Sequence, residues 1–237
     1  MAKRSKRYQA ADGLVDVEKK YEPAEAIELV KQASSTKFDE TIELHLRTTA
    51  DPRHADQQLR GVATLPAGLG KTIRVAVFAG GEGARVASEN GAEFVGADDL
   101  IERVEGGFTD FDVAIATPDM MGKIGKLGRI LGRKGLMPNP RTNTVVQEGD
   151  IASAVMEAKK GRVELRMDKT AIIHSAVGKA SFDASQLMEN LTAVMDTINQ
   201  LRPSAIKGPF VKTAYLTSTM GPSVSLDLAT TLTLRAE

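Results

Sequence analysis

The sequence predicts an α+β domain split between the two ends of the chain and interrupted by an α/β insert, so α/β and α+β classes are combined. Three observations carry that prediction. Toward both ends apolar residues alternate with polar ones, as in strands with one buried and one solvated face. In the middle, short runs apolar on both faces alternate with helical stretches, the pattern of a small parallel sheet covered on each side. The regime changes at Pro66-Ala67-Gly68-Leu69-Gly70 and near Lys159-Lys160-Gly161. Residues 1–67 and 160–237 then form the split domain and residues 68–159 the insert.

Taken in order, a basic start, Met1-Ala2-Lys3-Arg4-Ser5-Lys6-Arg7, precedes a helix that Pro23 opens. There Ile27, Leu29, Val30 and Ala33 fall on helical spacing, and Ser34-Ser35-Thr36 ends it. In Thr41–Arg47 alternation is strict: Ile42, Leu44 and Leu46 face a core while Thr41, Glu43, His45 and Arg47 share the other face. Asp51-Pro52-Arg53 makes a turn, Gly61–Leu65 a second strand, and Pro66–Gly70 a hinge. In the insert, Ile73–Ala79, Glu93–Gly96 and Asp112–Ala116 read as strands, with helices over Ala84–Asn90 and Asp98–Val104. A helix Ile151–Lys160 leads back to alternation at Val163, Leu165 and Met167, and Ile172-Ile173-His174 extends as a further strand. Asp183 or Ser185 caps a long helix to Leu201, stopped by Pro203, and Val211–Ser218 is the last strand.

Composition excludes several function classes. The 237 residues, 42% hydrophobic and 26% charged, are those of a soluble globular chain, and no apolar stretch approaches the roughly 20 residues of a membrane span. The N-terminus lacks the apolar core of an export signal, so a cytoplasmic protein is expected. Zero cysteines exclude disulfides and thiolate chemistry, and the histidines, His45, His54 and His174, lie far from metal-ligand spacing. No cofactor or metal is expected, and no Ser/His/Asp spacing suggests an enzyme. The net charge of +0 hides polarity: residues 82–119 hold ten acids against Arg85 and Arg103, whereas residues 120–147 hold six bases and no acid.

Four motifs follow. Gly70-Lys71-Thr72 resembles the end of a P-loop, but Leu65 stands where that loop needs glycine. Gly80-Gly81-Glu82-Gly83 follows a strand as a Rossmann turn should, yet Val86 takes the third glycine position, so a tight structural turn fits better. Gly122–Gly135 packs five glycines and five cations, Lys123, Lys126, Arg129, Arg133 and Lys134, into fourteen residues, which reads as a polyanion-binding loop. Its Gly-x-x-Gly spacings also fit a stand-alone KH-like RNA regulator. Thr219-Met220-Gly221 ends an acid-free stretch from Thr197 to Leu226, and Met220 suits a core plug or an apolar RNA-facing surface equally well.

Thr36–Glu43, Asp51-Pro52-Arg53, Arg60-Gly61, Leu65–Lys71, Gly128–Pro140, Asp168-Lys169, Ile173-His174, Gly178-Lys179 and Ser218–Ser223 form a set of segments spread over nearly the whole length. Together they resemble the bacterial L-one family of large-subunit ribosomal proteins, the ribosomal-stalk family. One departure is Ala171, where the family usually has glycine. The resemblance implies a Rossmann-like insert and a structural constituent of the large subunit. Such a protein binds large-subunit rRNA at the mobile stalk near the tRNA exit site, assists release of deacylated tRNA and represses translation of its own mRNA. It implies an rRNA- and mRNA-binding face of Lys37, Phe38, Thr41, Glu43, Asp168, Lys169, Thr219, Met220 and Gly221. The cations Lys123, Lys126, Arg129, Arg133 and Lys134 are a candidate tRNA or second RNA contact. Expected partners are rRNA, the mRNA leader and exit-site tRNA, with no membrane and a monomer when free.

Overall fold

The computed structural model describes residues 4–235; Met1, Ala2 and Lys3 of the basic start lie outside the described residues. The chain forms two compact units, one running to Gly70 and resuming at Val163, the other Lys71–Arg162. The first is a split α+β unit, the second a Rossmann-like α/β insert.

Helix α1, Lys6–Asp12, is a short element that the apolar pattern had not predicted, capped by Ser5. Helix α2, Pro23–Ala33, begins with proline at its first turn and buries Ala26, Ile27, Val30 and Ala33. Strand β1, Thr41–Thr48, buries Ile42, Leu44 and Leu46 completely. Each such side chain contributes roughly 1.5–3 kcal/mol, so a one-residue slip of register is strongly excluded. Strand β2, Arg60–Thr64, leads to the Pro66–Gly70 segment, expected as a hinge. The fully buried Asn190 holds this segment on the first unit, accepting the Ala67 N–H at 3.0 Å and donating to Gly68 O at 2.9 Å.

In the insert, β3 (Val75–Phe78) lies between β4 (Phe94–Gly96) and β5 (Val113–Ala116) in a parallel sheet. Helix α3 (Gly81–Glu89) starts at Gly81, so three of the four residues read as a tight turn form its first turn. Helix α4 covers Asp98–Glu105. The expected glycine-rich loop is instead helical. Helix α5 (Pro118–Ile124) passes through a 3-10 turn into α6 (Gly128–Lys134). Buried Met120, Ile124, Leu127 and Leu131 recur every three or four residues, and packing of that stripe overrides the low helix propensity of glycine. Helix α7, Ile151–Lys160, packs on β3, β5 and α3.

The returning chain supplies β6 (Arg162–Arg166), paired with β2, and β7 (Ile172–Lys179). Helix α8 (Ala184–Gln200) starts at Asp183, whose N–H donates to Gln186 Oε1 at 3.1 Å, and buries Leu187, Leu191, Val194, Met195 and Ile198. Strands β8 (Val211–Ser218) and β9 (Ser223–Ser225) precede the short α9 (Leu228–Thr231). Antiparallel pairing gives the sheet order β7-β1-β8-β9. Strand β1 is therefore central, with α2 and α8 on its apolar side and the polar face of Thr41, Glu43, His45 and Arg47 opposite. Among the described residues no helix is long and apolar enough to cross a membrane.

Candidate nucleic-acid interface

Glu40 precedes β1 at an inward-facing position and is 1% exposed. Its Oε1 accepts the Ser35 and Thr36 N–H groups at 3.2 Å each, and its Oε2 accepts the Met220 N–H at 2.9 Å. Burial pushes this carboxyl up, but the hydrogen bonds, led by that from Met220, outweigh it and hold the pKa at about 2. Thr41 and Thr219 lock the same end. The Thr219 N–H donates to Thr41 O at 3.0 Å and the Thr41 N–H to Thr219 Oγ1 at 3.0 Å. On this frame the 34–39 loop carries exposed Lys37 and Phe38, the latter 56% exposed, and the turn carries Met220 at 48%. Met220 is thus a surface residue and not a core plug. A Cβ on Gly221 would meet Ser218 Oγ, so that hydroxyl would have to shift. Arg4, Arg7 and Tyr8 border the same turn across an open cavity of about 400 Å³.

At mid-sheet the register sets His45 opposite His174, 129 positions away, with Nδ1 to Nδ1 at 2.8 Å. Sequence spacing had separated these two histidines; strand pairing brings them together. One Nδ1 must donate and the other accept, so two imidazolium rings are disfavoured here. Burial, then the neighbouring His174, lowers the His45 pKa, and Glu43 at 3.7 Å from its Nε2 partly opposes them. Among the described residues no group of three His, Asp or Glu side chains is arranged to hold a metal ion.

Asp168 and Lys169 lie at the opposite end of β1, because Thr41 pairs with Lys179 and Arg47 with Ile172. At about 3.3 Å per residue the two ends are roughly 20 Å apart. The expected RNA face is therefore two groups of residues, not one. The Asp168 carboxylate is spent on its own turn, with Oδ1 accepting the Thr170 and Ile172 N–H groups at 2.8 Å each. In the insert, Lys123 Nζ meets both Asp98 carboxylate oxygens at 2.7 and 2.8 Å, and Lys134 donates to Thr109 Oγ1. Lys126, Arg129 and Arg133 have no such partner among the described residues. Around them a Cβ on Gly122, Gly125, Gly128 or Gly132 would meet open space, which leaves a bare helical face.

These features sit in segments that a family model also recognises: the model of the Ribosomal protein L1p/L10e family matches residues 29–222. The chain belongs to the ribosomal protein L1p/L10e family. It is 54% identical to the large ribosomal subunit protein uL1 of Dehalococcoides mccartyi over 228 residues, 96% of each chain. The protein of the same name from Chloroflexus aggregans is 54% identical over 236 residues, 99% of this chain and 100% of the relative. That of Thermomicrobium roseum is 54% identical over 233 residues, 98% and 97%.

Membership of the L1p/L10e family makes the chain a ribosomal protein and not an enzyme. Local geometry agrees about the P-loop: Gly70-Lys71-Thr72 runs into strand β3 instead of opening a helix, and Asp112 binds Lys71. The Gly-x-x-Gly pairs fall at helix ends: Gly122 lies in α5 and Gly125 opens the following 3-10 turn, while Gly132 lies in α6 and Gly135 is its left-handed cap, so most of each pair is helical where a KH clamp needs a loop. Ala171, the departure from the family's glycine, has φ +63 and so keeps the left-handed backbone that glycine adopts without strain. Its carbonyl accepts both the Thr48 N–H and the Thr48 hydroxyl at 2.9 Å, which anchors the turn that carries Lys169.

Proposed function

We propose that this protein is a structural constituent of the large ribosomal subunit that binds large-subunit rRNA through the outer face of its split unit. The L1p/L10e membership and the relatives' names support the ribosomal role. The observation that carries the RNA reading is the exposed pair Phe38 and Met220, on two segments that Glu40 ties together. Exposed apolar groups on a rigid frame offer stacking and packing surfaces to unpaired bases, while Lys37 and Arg7 supply charge for phosphates. The position is the mobile stalk near the tRNA exit site. The same surface takes the leader of the protein's own mRNA and so represses its translation, because one RNA-shaped site serves both ligands. Lys126, Arg129 and Arg133 on the bare helical face of the insert contact exit-site tRNA and assist its release. The work is done in the cytoplasm on the ribosome, and the free protein is a monomer.

Met220→Asp tests the reading. It places a negative charge against phosphates at an exposed site, so the melting temperature stays nearly unchanged while rRNA affinity falls at least about tenfold, roughly 1.4 kcal/mol. Unchanged affinity in the folded variant removes this turn from the RNA site.

A further inference from the structure

Pairing of β1 with β7 sets His45 opposite His174 on the outer face of the sheet, with the two Nδ1 atoms 2.8 Å apart. Each ring has a carboxylate on its far side. Glu43 Oε2 lies 3.7 Å from His45 Nε2, and Asp168 Oδ2 lies 3.7 Å from His174 Nε2. From β8, the Thr217 hydroxyl also reaches His45 Nε2 at 3.2 Å. The carboxylates favour, in both rings, the neutral tautomer that carries its proton on Nε2. The contact between the rings opposes that choice. With both protons on Nε2, two Nδ1 lone pairs face each other; with one moved to Nδ1, a bare Nε2 lone pair faces a carboxylate. A pair of neutral rings therefore always leaves acceptors opposed, and a cation between the Nδ1 atoms removes the conflict.

The spacing suits a metal ion. At roughly 2.0–2.1 Å per bond, two nitrogens side by side on one zinc-sized ion stand about 3 Å apart. An Nε2–H turned to a carboxylate is the usual outer support of a metal-bound imidazole, since it fixes the tautomer and raises the basicity of the ligating nitrogen. Burial and the neighbouring ring lower the His45 pKa, which keeps that ring in the unprotonated form a metal requires. The His174 side chain is 54% exposed, so an ion can enter from solvent.

We propose that His45 Nδ1 and His174 Nδ1 together bind one transition-metal dication of the imidazole-preferring class, such as Zn2+, which clips β1 to β7. Among the described residues no third His, Asp or Glu completes the set, so the remaining coordination positions are open to water. The two ligands are 129 positions apart, so sequence spacing does not announce the site.

Zn2+ alone is titrated into the untagged full chain, first stripped with a chelator, and followed by calorimetry and by long-range proton–nitrogen spectra of the imidazoles. The expected result is one ion per chain, a metal-type shift of Nδ1 in both His45 and His174 with both Nε2 still protonated, and a melting temperature raised by zinc. Glu43→Gln weakens zinc binding about tenfold, and His45→Ala or His174→Ala weakens it by more. His54→Ala, in an exposed loop, leaves it unchanged. Zinc affinity unaltered in His45→Ala and His174→Ala, or coordination through Nε2, overturns the site. So does failure to saturate with millimolar zinc, in which case a shared proton fills the gap between the rings. The spectra of the wild-type chain decide the matter even where an alanine variant fails to fold. No RNA enters the experiment, so either outcome leaves the RNA-binding reading standing.

Discussion

Glu40 shows how one side chain can order a surface that it does not itself occupy. Its two oxygens tie the 35–36 backbone to the Met220 N–H, so the loop bearing Phe38 and the turn bearing Met220 share one buried support. The folded pKa is lowered from 4.5 to about 2, so the folded state favours the ionised form. The stability this contributes is fully present above pH 4.5 and is lost as pH falls toward 2. At 1.36 kcal/mol per unit the contribution is at most about 3 kcal/mol. Glu40→Gln replaces an acceptor facing the Met220 N–H with an amide that cannot satisfy all three donors. The variant is expected to be about 2 kcal/mol less stable at pH 7 by urea denaturation, with the gap to wild type closing between pH 4.5 and 2. A gap independent of pH in that window would show that the carboxylate's charge is not what holds the turn. Ala171 is a residue-scale counterpart on the far turn, where a left-handed backbone is retained without glycine because Thr48 grips its carbonyl twice.

At the scale of elements, the α5–α6 segment sets propensity against packing. Gly132 lies inside α6, and a Cβ there would meet nothing within 4 Å. Replacing an exposed helix-interior glycine with alanine gains up to about 1 kcal/mol, because the unfolded chain loses freedom and the helix gains propensity. Gly132→Ala is therefore expected to raise the melting temperature of the insert by a few degrees and, on the proposed tRNA contact, to weaken binding of tRNA, since a methyl on the bare face keeps a phosphate backbone away. A fall in melting temperature would contradict the open helical face. This segment also marks the limit of what the sequence disclosed. Strands β1 and β8 and helices α7 and α8 were legible because each shows its period within its own residues. In α5–α6 the dense glycines concealed the spaced stripe of Met120, Ile124, Leu127 and Leu131. Of the candidate site, the sequence displays only motifs that sit in one segment, such as Thr219-Met220-Gly221, and there the residues alone left Met220 balanced between a core plug and an exposed surface. Glu40 meets Met220 across 180 positions and His45 meets His174 across 129, and such pairings depend on a register that no local pattern contains. One hint was available: Glu40 is a charged residue in phase with the inward positions of β1.

For the whole molecule, a formal charge of +0 coexists with the acid-free cationic stretch 120–147, so the RNA affinity proposed above rests on where charge sits and not on its sum. The two units also have self-contained cores. One apolar cluster draws only on residues before Gly70 and after Val163, from Val15 to Leu226, and another runs from Ala76 to Leu131 within the insert. The last strand before the insert, β2, pairs with the first after it, β6, so both crossings leave from one two-stranded sheet. Removal of the insert should then leave a domain that folds by itself, provided the cut respects the local anchoring. Leu69 packs on the split unit's core, and Asn190 holds Ala67 and Gly68, so the chain is best joined after Gly70 and before Arg162 through a short Gly/Ser linker. A cut at residue 67 would discard that packing. The joined variant is expected to unfold in one cooperative transition and to hold the rRNA fragment within about tenfold of the full chain, a difference under roughly 1.4 kcal/mol, with a salt slope little changed. Retention is expected because Glu40, Phe38, Met220 and Lys37 all lie outside Lys71–Arg162. If the variant folds but loses nearly all rRNA affinity while the isolated insert keeps it, the glycine-rich helices are the principal RNA site and the outer sheet face is not.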